Sequence, residues 1–254
     1  MNTTVITGAC SGLGYAVAQY LVSQGQHVCI FDLDDAKGTS VVQELGANNA
    51  RFFHVDVTQE QDINNALAAI NQAQLTIRCL VNCAGIAPAK RLLDKNSSAM
   101  PLSDFSRVID INLIGTFNCC RLVAQSMAQN ELDDNNAERG VIINTASVAG
   151  YEGQIGQSAY AASKAGIIGL CLPMARDLAT LGIRVNTIAP GVMGTPLLLA
   201  MPQKVQDALS ANIPFPPRLG APQEFAKLVA HIQSNGYLNG ETIRLDGALR
   251  MPPK

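Results

Sequence analysis

"TTVITGACSGLGYAVAQYLVSQG", Thr3 to Gly25, is the stretch that decides the fold. Five β-branched residues run into Gly8, and from Leu13 apolar residues recur at helical spacing until Gly25 closes the segment. Between strand and helix, Gly8, Gly12 and Gly14 form a T-G-x-x-x-G-x-G turn. Glycines there let the backbone turn tightly, so that a pyrophosphate can approach closely and rest its charge on a helix N-terminus. Alone, the pattern also fits a plain strand–helix turn. Its position after the first strand of a βαβ unit favours the nucleotide.

The same alternation continues outward from that unit. "HVCIFD" reads as a buried strand, "DAKGTSVVQELG" as a helix, "RFFHVDV" as a strand, "EQDINNALAAINQ" as a helix and "IRCLVNCAG" as a strand. Two long helices follow, at about 103–129 and 157–181, separated by the strand "GVIINTAS"; "IRVNTIAP" and the short "NGETIRLDG" supply the last strands. Continuous apolar strands alternating with helices imply a parallel sheet covered on both faces. The expected architecture is therefore α/β, a Rossmann-like doubly wound sheet, in a single domain spanning 1–254. Irregular stretches lie at 86–102, at the acidic 130–140 and at the Pro-rich, apolar 191–220. Pro173, inside a predicted helix, predicts a kink.

Composition narrows the partners. The chain is 48% hydrophobic, 15% charged and carries a net charge of −2, without the basic footprint that binds nucleic acid or anionic membrane. No apolar run approaches the 18 or so residues of a membrane span. Seven cysteines, odd in number and mostly within apolar runs, read as small buried hydrophobes in a reducing compartment. With Lys37 the first lysine or arginine, we expect a cytoplasmic protein acting on a small molecule. His27, His54 and His231 have no metal-ligand spacing, and no metal is expected.

Asp32 closes the second strand, 18 residues beyond Gly14. An acidic residue there can hold the ribose hydroxyls of NAD, whereas a 2′-phosphate would place like charges together, so NAD is expected over NADP. Downstream, Ser147 follows the strand "VIINTA", and Tyr160 and Lys164 stand four residues apart on the next predicted helix. A lysine ammonium near a phenol favours phenolate, which predicts a Tyr160 pKa drawn down towards neutrality.

Taken together, "TGACSGLG", "NCAG" at 82–85, Asn112 in "DINLIGTF", Ser147 and the Tyr160-x-x-x-Lys164 pair resemble the short-chain dehydrogenase/reductase family across the entire chain. The resemblance implies Tyr160 as general acid/base, Ser147 as the hydrogen-bonding partner of the substrate oxygen, and Lys164 as the residue that holds the nicotinamide ribose. Asn112 would support a water-linked proton relay through a helix irregularity. The same matching implies cofactor contacts at Ser11, Leu13, Asp56, Val57, Cys83 and Met193, although Val57, Cys83 and Met193 would serve equally as core.

Within the family, "GVIINTASVAGYEGQIGQSAYAASKAGIIGLCLPMARDLATLGIRVNTIAPGVMGTPLL" is similar to the type II 3-hydroxyacyl-CoA dehydrogenases. That implies NAD-dependent interconversion of 3-hydroxyacyl-CoA and 3-oxoacyl-CoA, steroid-like alcohols as further substrates, and a homotetramer built on the two long helices. Met193 departs from the group, whose members carry an aromatic residue there. Residues 191–220 are the expected substrate lid, because an acyl chain needs apolar walls that exclude water. The rival readings are a 3-oxoacyl carrier-protein reductase, a hydroxysteroid dehydrogenase and an NAD-binding interaction subunit without activity.

Overall fold

The computed structural model describes residues 1–133 and 137–253. Its strands are β1 (Asn2–Thr7), β2 (His27–Asp32), β3 (Ala50–His54), β4 (Thr76–Asn82), β5 (Gly140–Thr145), β6 (Ile183–Pro190) and β7 (Thr242–Leu245). All pair in parallel in the order β3-β2-β1-β4-β5-β6-β7. The direction of winding reverses between β1 and β4. The crevice beyond the carboxyl ends of those two strands is where an open α/β sheet binds ligands.

Side-chain alternation along the strands supplies both faces. Ile6, Val28 and Ile30 join a core with α1 (Gly12–Ser23), α2 (Asp35–Leu45) and α9 (Pro222–Ser234). Val5, Cys29 and Phe31 point the other way, into a core with α3 (Glu60–Gln72), α5 (Gly115–Met127) and α6 (Ser158–Leu178). The first expected long helix is α4 (Leu102–Ile109) joined to α5 through one π turn, Asp110–Ile114. The second, α6, is assigned as one helix through Pro173. The cysteines are free, and six are buried.

The segment 191–220 carries two short helices, α7 (Pro196–Leu199) and α8 (Gln203–Ser210). Its ends are tied together: Gly194 N–H donates to the Gly220 carbonyl at 2.8 Å, and Gly220 N–H to the Val192 carbonyl at 3.0 Å. The helix α9 that follows is an element the strand–helix alternation read above does not name. In the acidic stretch 130–140, residues 134–136 lie outside the described residues. Among the described residues, no helix is long and apolar enough to cross a membrane.

Candidate active site

At the switch point the glycine loop meets the end of β4. The Thr7 hydroxyl accepts from the Cys83 and Ala84 N–H groups, each at 3.0 Å, and draws the two segments together. Gly8 has φ +64°, and a Cβ there would meet the Ala84 backbone at 2.8 Å; a Cβ on Gly14 would meet the Gly8 carbonyl oxygen at 2.5 Å. Both positions therefore exclude a side chain. Ser11 occupies the N-cap of α1 without a side-chain capping bond, and the first turn has no acidic residue. The helix thus presents uncompensated N–H groups and the positive end of its dipole to a cleft of about 1370 Å³. Such an end favours an anion, and the residues present fit a dinucleotide.

Asp32 lines this cleft at the tip of β2. One carboxylate oxygen accepts from Cys10 N–H at 2.9 Å and the other from Leu33 N–H at 2.8 Å, which fixes the charge against the glycine loop. Across the cleft, Asp56 accepts from the Thr58 N–H and hydroxyl at 2.9 and 2.8 Å, and Val57 is both wall and core. Leu13 and Cys83 line this cleft and also a second, of about 810 Å³, that opens from it.

The second cleft gathers the residues expected to carry the chemistry. Ser147, Tyr160 and Lys164 line it together with Ile86, Pro88, Met100, Val108 and Met193. Lys164 is buried; its Nζ donates to the Thr145 carbonyl at 2.7 Å and stands 5.7 Å from the centroid of the Tyr160 ring. Burial pushes the Lys164 ammonium down to about 8. Burial also pushes the Tyr160 phenol up, with the Ser147 hydroxyl acting the other way. The direction expected from the Tyr-x-x-x-Lys spacing is thus reversed. The ammonium is committed to a carbonyl, and desolvation weighs more than a charge held over the ring rather than at the phenolic oxygen.

The comparisons with known proteins agree with this geometry. The family model for short chain dehydrogenases matches residues 2–206. This chain belongs to the short-chain dehydrogenase family. The dehydrogenase is 54% identical over 250 residues, 98% of this chain and 95% of the relative, to the human 3-hydroxyacyl-CoA dehydrogenase type-2. The crystal structure of 3-hydroxyacyl-CoA dehydrogenase type-2 from Mycobacterium avium superposes with TM-score 0.95 at 46% identity, covering 100% of this chain and 97% of that one. A 3-oxoacyl-[acyl-carrier protein] reductase from Brucella melitensis superposes with TM-score 0.85 at 33% identity, over 99% of this chain and 91% of that one. The protein is accordingly an oxidoreductase, and fold and family together imply a nicotinamide nucleotide cofactor.

Asn112 sits within the π turn, fully buried. Its Nδ2 donates to the Ile86 carbonyl at 2.9 Å and to the Ser163 hydroxyl at 3.1 Å, while its Oδ1 accepts from Ile86 N–H at 2.8 Å. It therefore clamps the strand-end loop onto the helix that carries Tyr160. A Cβ on Gly85 would lie 3.0 Å from Asn112 Oδ1 and 3.8 Å from Lys164 Nζ. The two clefts also take in residues outside the motifs. Thr145 and Ile86 act through backbone groups, which leave no mark in a sequence, and Arg107 and Thr195 line both clefts.

Proposed function

We propose that this dehydrogenase interconverts 3-hydroxyacyl-CoA and 3-oxoacyl-CoA with NAD(H). The observation that carries the reading is the placement of Tyr160 and Ser147 on the wall of a cleft, part apolar and part charged, that opens directly into the nucleotide cleft. The kinship with proteins named 3-hydroxyacyl-CoA dehydrogenase type-2 supports the substrate class.

The residues that would hold the dinucleotide are Gly8, Ser11, Gly12, Leu13 and Gly14 at the pyrophosphate, Asp32 at the adenosine ribose, and Asp56, Val57 and Cys83 around the adenosine. Lys164, Tyr160 and Met193 would serve the nicotinamide side. When bound, that group supplies the acceptor and donor of a hydride. Ser147 orients the C3 oxygen, and Tyr160 exchanges the hydroxyl proton with it as the C3–H bond breaks and the carbonyl forms. A protonated phenol, the form favoured by burial, is the donor needed for reduction of the 3-oxo group. Oxidation needs phenolate. Asn112 and Lys164 hold the loop and helix that set this geometry.

Asp32 supports NAD, since its fixed carboxylate would repel a 2′-phosphate. The free thiols favour a reducing compartment such as the cytoplasm. A homotetramer is supported by Phe117 at the start of α5 and Leu172 on α6, apolar side chains left half-exposed on the two long helices. Coenzyme consumption with NADH and NADPH across 3-oxoacyl-CoA lengths, a carrier-protein thioester and ketosteroids tests the assignment. We expect NADH-dependent turnover of 3-oxoacyl-CoA; a preference for NADPH with the carrier-protein thioester would overturn it.

A further inference from the structure

Behind the catalytic cleft lies a separate cavity of about 260 Å³, walled by Val192, Ile213, Pro216, Gly220, Leu245 and Gly247. Its interior offers no free charge among the described residues. Arg218 closes a two-armed ion pair on Glu224, both bonds at 2.8 Å, and Asp246 accepts from Arg244 at 2.7 Å and from Ala248 N–H at 3.0 Å. The lining is otherwise apolar. An apolar group is the ligand such a space favours.

Met193 is the one described residue that lines both this cavity and the cleft of Tyr160. Its backbone cannot move freely, because the flanking Val192 carbonyl and Gly194 N–H are both bonded to Gly220. Its side chain lies on the Gly220 backbone: a Cβ on Gly220 would meet Met193 Sδ at 2.4 Å. What can move is an unbranched, polarisable thioether with three rotatable bonds, a side chain that repacks at little cost. Glycine at 220 leaves it the room to lie there.

We propose that Met193 is a specificity-determining gate, whose side chain swings to join the 260 Å³ cavity to the catalytic cleft and so seats the distal end of longer acyl chains. The gate rests on the acyl-CoA reading above. With the thioether on Gly220 the cleft ends at Met193 and suits short chains. With it displaced, the apolar cavity extends the cleft beneath the segment 191–220.

The test compares 3-oxoacyl-CoA substrates of four and ten carbons in the wild type, Ile213→Phe, which fills the cavity, and Met193→Ala, which removes the gate. One methylene seated in an apolar pocket is worth about tenfold in discrimination. The ratio of kcat/KM for the long over the short chain should fall about tenfold or more in Ile213→Phe and rise about tenfold in Met193→Ala. Dissociation constants of the same two substrates in a Tyr160→Phe background should shift in the same directions. If Ile213→Phe does not fold, Met193→Ala alone decides. Turnover of the short chain with an unchanged ratio in the folded variants overturns the gate and spares the activity. Absence of 3-oxoacyl-CoA turnover in the wild type overturns both.

Discussion

Lys164 Nζ stands 5.7 Å from the centre of the Tyr160 ring and gives its hydrogen bond to the Thr145 carbonyl instead. The two share a buried environment without direct contact, and burial acts on each separately. Each shifts away from its charged form, the phenol upward and the ammonium downward to about 8.

Burial of the Lys164 ammonium makes stability sensitive to pH. The folded Lys164 pKa is depressed from 10.5 to about 8, so the unfolded chain binds the proton more tightly. The resulting penalty is complete below pH 8 and fades as pH rises towards 10.5. Removing the group in Lys164→Met should stabilise the protein relative to wild type most at pH 7. By pH 9.5 that relative gain should shrink by about 2 kcal/mol, read from denaturant midpoints. A gain that grows with pH would show the shift has the other sign.

Cofactor choice should follow the charge on Asp32. Asp32→Asn keeps an oxygen to accept from Cys10 N–H while removing the repulsion towards a 2′-phosphate. We expect the ratio of kcat/KM for NADPH over NADH to rise by at least about tenfold, since a unit charge pair at close range is worth a few kcal/mol. An unchanged ratio would move the discrimination elsewhere.

Asn112→Leu should cost both stability and rate. It strips the partner from the Ile86 amide and carbonyl and removes one of two bonds of the Ser163 hydroxyl, and each buried unpaired group costs about 1–3 kcal/mol. A loss of about 3 kcal/mol or more, roughly 6–12 °C in Tm, is expected in a thermal melt. A Tm within a degree of wild type would show that the clamp carries no weight.

The sheet is legible because its central strands are buried on both faces and read as apolar runs between glycine and helix signals, while the edge strands β3 and β7 are only part-buried and carry polar residues. The helix α9 also carries a signal: Phe225, Val229 and Ile232 fall on one face and are buried against α1. It is masked by the proline-rich run before it and by Pro222 at its own first turn. The irregularity at Asn112 is legible only through the family resemblance, and the π turn that carries it leaves no mark of its own in the residues. Nor does the fate of Lys164. Spacing puts it near Tyr160, but only the fold shows that a backbone carbonyl takes the ammonium, and that burial outweighs the attraction of charge.

We propose that Tyr160 exchanges the substrate proton in an NAD-dependent interconversion of 3-hydroxyacyl-CoA. The most direct measurement follows NADH formation from a short 3-hydroxyacyl-CoA, in wild type and Tyr160→Phe, with NADH binding measured on both. We predict turnover that rises with pH in the wild type as the phenol ionises, a loss of about a hundredfold or more in Tyr160→Phe, and NADH affinity nearly unchanged. Turnover retained by Tyr160→Phe, or no turnover by a wild type that binds NADH, would contradict it.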